Sequence, residues 1–354
     1  MPFDSKNFNA EVFGAYVDRV PNLRLTRLLE SGAIRPRQDL AASMRDEVGG
    51  NYISTPLLGL IDGAPMNYDG VTDITTRSTT TYMHSRVVVG RAQSWEERDF
   101  SYDITGGVDF MENVAQQLSG YWAGVDQDTI VAILKGVFSM TGAENLKFVN
   151  QHTLDIRAVQ SYQLGYMDET TINTAVQKAS GDNKSIFSLV ICHSAVATHL
   201  ENANATARVK VTENGVERDT GLRTLSGKML LVDDSMPVEE VTVGEGAEAT
   251  KQTVYTSYIL GTGAIEYTNC GVKVPYEMSR DPAKYGGKDM LYTRQRKCWA
   301  PYGISFTKAN METSSPENDE LSDGDNWELV KSGGSVTQYL DHRAIPIARV
   351  LSLG

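Results

Sequence analysis

The sequence predicts a mixed α+β chain built around one long helix. Three features carry this. Residues 108–138 hold helical periodicity without a break, residues 75–97 and 272–308 are strand-prone, and residues 150–275 alternate short helical and apolar strand patterns. At 354 residues with 41% hydrophobic content, the chain can bury a sizeable core.

The first segment, residues 8–48, reads as short interrupted helices. In FNAEVFGAYVDRV the apolar Val12, Phe13, Tyr16, Val17 and Val20 share a face, and Pro21 ends the run. LTRLLESGAI is closed by Gly32, and QDLAASMRDEV follows Pro36 as a third helical candidate. Separated short helices suggest an arm lying over other structure.

Residues 50–106 change character. GLIDGAPMNYDGVTD is punctuated by Gly, Pro and Asp. TTRSTTTYMHSRVVVGRAQSWEE is β-prone but polar until Val87–Val89. A polar ribbon of this kind, over 63–93, is marginal alone and needs another surface to lie on.

The helix over 108–138 comes next, with Thr105 or Asp109 as cap. Met111, Val114, Leu118, Trp122, Val125, Ile130, Ile133, Leu134 and Val137 mark its buried face. At 1.5 Å per residue it reaches about 46 Å.

Residues 150–275 contain helices at TTINTAVQKASG and SAVATHLENAN, the latter with Ser194 as expected cap. IFSLVICH and KMLLVDD are strands, VEEVTVGEGAEATKQ is a soft acidic insertion, and YTSYILGTGAIEYT is a strand pair about Gly261 and Gly263. Strands VKVPYEMSRD and MLYTRQRKCWAPYGISFTK flank a loop at PAKYGGKD. Residues 309–327 are polar and turn-like, and IPIARVLSL closes as a buried strand.

Catalytic and cofactor patterns fail one by one. GTG at 261–263 lacks its third glycine, where Glu266 stands, and no helix pattern follows it. GLRTLSGKM is one residue too long for a phosphate loop and ends in Met229, and GGKD at 286–289 fails similarly. Cys192 and His193 are strand neighbours and point apart. His84, His152, His199 and His342 form no metal-ligand spacing. Asp233-Asp234 and Arg280-Asp281 read as solvated or salt-bridged groups. Cys192, Cys270 and Cys298 are scattered and odd in number, which fits a reducing compartment and argues against a disulfide framework. No secretory signal and no membrane span are visible. No catalytic residue, metal or cofactor is predicted. A net charge of -12 disfavours sequence-specific nucleic-acid binding.

The order of parts resembles the major capsid proteins of tailed double-stranded DNA bacteriophages, the Hong Kong 97 fold family. GAPMNYDGVTDI followed by VVVGRAQSWEERDFSYDITGGVDFMENVAQQLSGYW resembles their extended loop running into the spine helix. YTSYILGTGAIEY and VPYEMSRDPAKYGGKDMLYTRQRKCWAPYGISF resemble their later half. The resemblance implies an N-terminal arm over 1–49, an extended β-hairpin loop over 50–100, and a peripheral domain over 101–154 with its spine helix at 108–139. It implies an axial domain over 155–271, peripheral strands and loop over 272–335, and a C-terminal strand over 336–354 returning to the axial domain.

As function it implies a coat protein that self-assembles into hexamers and pentamers of an icosahedral head shell around the phage genome. The implied partners are other copies of the chain, portal and scaffolding proteins, decoration proteins, and packaged double-stranded DNA without sequence-specific binding. A membrane is not among them. The location is the virion, assembled in the bacterial host cytoplasm. Candidate subunit-interface residues are Asp69, Arg77, Arg86, Arg91, Trp95, Glu96, Arg98, Arg280, Asp281 and Arg294. The resemblance carries no crosslink and no catalysis. Alternatives are an encapsulin-like compartment shell, and a tail tube or sheath protein.

Overall fold

The computed structural model of the protein describes residues 31–44, 51–59, 65–71, 73, 79–98, 110–157, 165–203, 206–213, 216–243, 250–333 and 337–353. The expected helices at 8–20 and the caps Thr105 and Asp109 lie outside these residues.

Two sheets organise the chain. The first has seven strands. Its axis is β3 (Thr81–Arg98) paired antiparallel with β13 (Lys288–Pro301), from Val88 opposite Cys298 to Arg98 opposite Lys288. On β13 lie β11 (Ile265–Asn269) and β12 (Tyr276–Asp281), and β1 (Ile34–Pro36) adds in parallel to β11. The near half of β3 pairs instead with β2 (Tyr52–Leu58), from Tyr52 opposite Val87 to Leu58 opposite Thr81. The hairpin is therefore present, but it projects over less of its length than the 63–93 ribbon. At Val87–Val89 the strand passes from its hairpin partner to its sheet partner, and these three valines are at most 4% exposed. An apolar triplet of consecutive residues needs cover on both faces: Val87 and Val89 enter the core shared with the long helix, and Val88 packs against Leu40 and Met44 on the other side.

The second sheet has eight strands. β10 (Thr250–Gly261) runs between β17 (Ile347–Leu353) and β5 (Phe187–Cys192), and β8 (Lys228–Val232) lies parallel to β5. The acidic segment expected as a soft insertion is a hairpin, β9 (Val238–Val243) paired with the first half of β10. The strand pair expected around Gly261 and Gly263 is not a pair. β10 and β11 belong to different sheets, and the turn carries the chain from one to the other. Its glycines have a steric cause. A Cβ on Gly261 would clash with the Ile186 carbonyl and Pro346, and Gly263 has φ +71°.

Between the sheets lies the rod, α2 (Phe110–Val137), about 42 Å long. A shorter helix, α1 (Ala41–Met44), belongs to the arm. Leu118, Trp122, Ile130, Ile133, Leu134 and Val137 of α2 are buried as expected, whereas Val125 is half-buried because the buried face turns onto Asp126 and Thr129. The second half of α2 shares one core with both sheets. Val87, Val89, Ile265 and Trp299 come from one, Leu189, Tyr258 and Leu260 from the other, and α3 (Ala143–Gln151) adds Phe148 and Val149. The opposite face of the second sheet is covered by α4 (Glu169–Ser180) and α5 (Ser194–Asn202) through Ile172, Val176, Val196 and Leu200. Asp168 caps α4 in a reciprocal capping box with Thr171. The cap of α5 is His193 rather than Ser194, since His193 Nδ1 accepts the Ala195 N–H at 3.1 Å. The polar 309–327 segment is more ordered than its composition suggests. It forms α6 (Asn318–Ser322), packed on the C-terminal end of α2.

Candidate assembly surfaces

The hairpin carries the most exposed apolar side chains among the described residues. Tyr68 is 89%, Val71 88% and Leu58 77% exposed. Residues 65–71 are all exposed, and the Asp69 carboxylate accepts the Val71 N–H at 2.9 Å, which shapes the turn. Burying three such side chains contributes about 1.5–3 kcal/mol each. Among the described residues, nothing in the same subunit covers them. Arg77 lies outside the described residues.

A second surface forms where β3, β12 and β13 end together. Arg280 Nη1 meets Asp289 Oδ2 at 2.7 Å, and Lys288 pairs with Glu96, which also lies 3.5 Å from Arg98. The Arg98 guanidinium sits 4.0 Å over the Tyr285 ring, itself 59% exposed. Asp281 Oδ1 accepts the Ala283 N–H at 3.1 Å and its carboxylate faces Lys284 at 3.7 Å. Lys288 holds the Glu96 carboxyl below its usual range, and Glu96 raises Lys288 in return. Arg294, farther along β13, binds Glu277 at 3.0 Å and the Val274 carbonyl at 3.3 Å. Glu96, Arg98, Arg280 and Asp281 thus lie close together at this end of the sheet.

The remaining candidates go elsewhere. Trp95 packs edge-on against Tyr121 of α2 with ring centroids 5.2 Å apart. Arg91 is half-buried, donating to the Pro316 carbonyl at 2.9 Å and to Asn318 Oδ1 at 2.8 Å, which fastens the α6 segment to β3. Arg86 is a correction. Its side chain is 3% exposed and its donors are spent on Glu266, Thr55 and the His84 carbonyl of its own chain. An interior guanidinium engaged in this way has no free face for a neighbour.

Sequence reasoning missed the apolar tip and the buried ion pairs. Lys297 on β13 donates to Asp126 on α2 at 2.5 Å, tying rod to sheet. Burial raises the Asp126 carboxyl even against the pull of Lys297. The available signal was a lone charged residue inside an otherwise apolar periodic face.

The residues closest to a catalytic pattern are committed structurally. Ser194 Oγ is 3.5 Å from His193 Nδ1, but that nitrogen already caps α5. Asp234, on the other side of the ring, is 3.8 Å from Nε2. Cys192 is buried, and burial pushes its thiol up to about 12. Among the described residues, no group of three His, Cys, Asp or Glu could hold a metal, and no helix is long and apolar enough to cross a membrane.

No family model matches the chain. A curated relative, the major capsid protein of Bacillus phage SPP1, is 28% identical over 320 residues, spanning 90% of this chain and 91% of that protein. The capsid of Ralstonia phage GP4 superposes with a TM-score of 0.58 at 10% identity, over 91% of this chain and 87% of the other. The cyanophage Pam1 capsid gives 0.54 at 11% identity, over 95% and 92%. The fold is that of the tailed-phage capsid structures of the Hong Kong 97 type, and the sequence is similar to a phage major capsid protein along nearly the whole of both chains.

Proposed function

We propose that the chain is the repeating tile of a phage head shell, joined to its copies chiefly through the projecting hairpin. The observation that carries this is the hairpin tip. Leu58, Tyr68 and Val71 find no cover among the described residues of their own subunit, and a fold kin to capsid proteins supplies identical neighbours. Head-to-tail contacts between identical surfaces close into rings, here hexamers and pentamers. Many modest contacts then sum into a stable shell. The paired charges around Glu96, Arg98, Arg280 and Asp281 form a second contact, where ring meets ring. Asp69 shapes the hairpin tip, and Arg294 lies farther along β13 from the second contact.

The division into arm (1–49), extended loop (50–100), peripheral parts (101–154 and 272–335), axial domain (155–271) and returning strand (336–354) is part of the same reading. So are portal and scaffolding partners, decoration proteins, assembly in the host cytoplasm, and enclosure of double-stranded DNA. Excess negative charge repels phosphate, so the genome slides instead of sticking. Negative-stain microscopy of the expressed chain, alone and with a scaffold, tests the reading. Closed shells are expected. Tubes would assign the chain to a tail, and a monomer at every concentration would end the proposal. Deleting residues 1–35 is expected to leave soluble subunits that make no stable shells.

A further inference from the structure

We infer that Glu266 is a positioning residue that couples the pose of the hairpin to the seating of the N-terminal arm. Its side chain is 5% exposed in mid-β11. Oε2 accepts from Arg86 Nε at 2.9 Å and Nη2 at 2.5 Å, and Oε1 accepts from Arg37 Nη1 at 2.6 Å. The two arginines come from different segments. Arg86 lies on β3 opposite Ile53 of β2, whereas Arg37 directly follows β1.

Each guanidinium is also held on its far side. Arg86 Nη1 reaches Thr55 Oγ1 on the other hairpin strand. Arg37 forks onto Asp39, Nε to Oδ1 at 2.9 Å and Nη2 to Oδ2 at 2.8 Å. One carboxylate therefore touches the arm and the hairpin and sits on the strand that carries the arm. The charges balance, two arginines against Glu266 and Asp39. Burial disfavours the charged Glu266, but Arg86, by its charge and its hydrogen bonds, and Arg37 outweigh it. A carboxylate with each oxygen committed to a different segment transmits displacement, because losing one guanidinium frees it to turn about the other. Apolar packing of Leu40 and Met44 against Val88 and Ile53 joins the same segments, but it has no directional requirement.

The functional weight of this coupling rests on the hairpin being the intersubunit contact. Its test is therefore made on the unassembled full chain, by hydrogen exchange with mass spectrometry. Arg37→Ala is expected to speed exchange about tenfold both at the arm amides of residues 34, 35 and 37 and at the hairpin amides 82–87. Arg37→Lys, which keeps the charge on Glu266, is expected to restore the hairpin. Glu266→Gln is expected to loosen both segments together, and if it does not fold, the Arg37 variants carry the test. Hairpin exchange unchanged in Arg37→Ala, or not restored by Arg37→Lys, would overturn the inference. Coupling in a chain whose wild type forms no shells would overturn only the shell reading.

Discussion

At the scale of single residues, two close contacts define where the rod ends. A Cβ on Gly136 of α2 would overlap the Leu321 carbonyl oxygen and the Trp327 indole, and one on Gly324 would overlap the Ser139 carbonyl. These glycines let the 309–327 segment clamp the helix terminus, where Trp327 Nε1 donates to the Leu321 carbonyl at 2.8 Å. Gly136→Ala is expected to destabilise the subunit by about 3 kcal/mol, read from urea unfolding, because backbone rather than a movable side chain stands in the way. The buried Lys297–Asp126 pair gives a second outcome. Lys297→Met strands a carboxylate that is 7% exposed, an expected loss of about 3–5 kcal/mol. Adding Asp126→Leu removes the stranded charge, and the double variant is expected to recover most of that loss in the same titration.

At the scale of elements, the hairpin and the rod differ in what they owe to their own subunit. Changing Tyr68 and Val71 to Ser touches side chains that are 89% and 88% exposed among the described residues. Subunit stability is expected to stay within about 0.5 kcal/mol, while shell yield by sedimentation falls sharply. If shells form at the wild-type yield, the tip is not the contact. The rod was the most legible element. Apolar residues repeating every three or four positions place a helix over 108–138, and α2 spans Phe110–Val137. Strands β5, β8 and β17 were legible for a similar reason, since short apolar runs between turn residues leave little choice. Sheet membership was not legible. Nothing local in YTSYILGTGAIEYT says that its two strands separate into different sheets, because strand partners are chosen by long-range packing. The α6 segment was hidden because its helix stabilises itself through polar capping at Glu317 and Glu320, without an apolar face that periodicity would register. Of the candidate interface residues, Glu96, Arg98, Arg280 and Asp281 gather at one end of the first sheet, whereas Arg86 is interior, since composition does not distinguish a solvated arginine from an interior one.

At the scale of the whole molecule, two buried histidines sit where distant parts of the chain are joined, and both respond to acid in the same direction. His84, on the hairpin strand, is 0% exposed and its Nε2 faces the Ile304 carbonyl at 3.0 Å. Burial, assisted by Arg86, lowers its pKa from 6.5 to about 4. His152, beyond α3, donates from Nδ1 to the Ile347 carbonyl of β17 at 2.6 Å, which leaves Nε2 to accept from His342 Nδ1 at 3.2 Å. Burial lowers it likewise from 6.5 to about 4. With the folded pKa depressed, the unfolded chain takes up protons that the folded chain refuses. The contribution to stability is full above pH 6.5, falls as the pH drops towards 4, and changes no further below that. Each shift corresponds to about 3 kcal/mol. Urea midpoints should therefore be level from pH 7.5 to about 6.5 and fall from there to pH 4.5. In His152→Gln, which keeps a donor for the Ile347 carbonyl but does not titrate, the slope should drop by about half. A midpoint that is level across that range would mean that neither ring is held neutral by the fold.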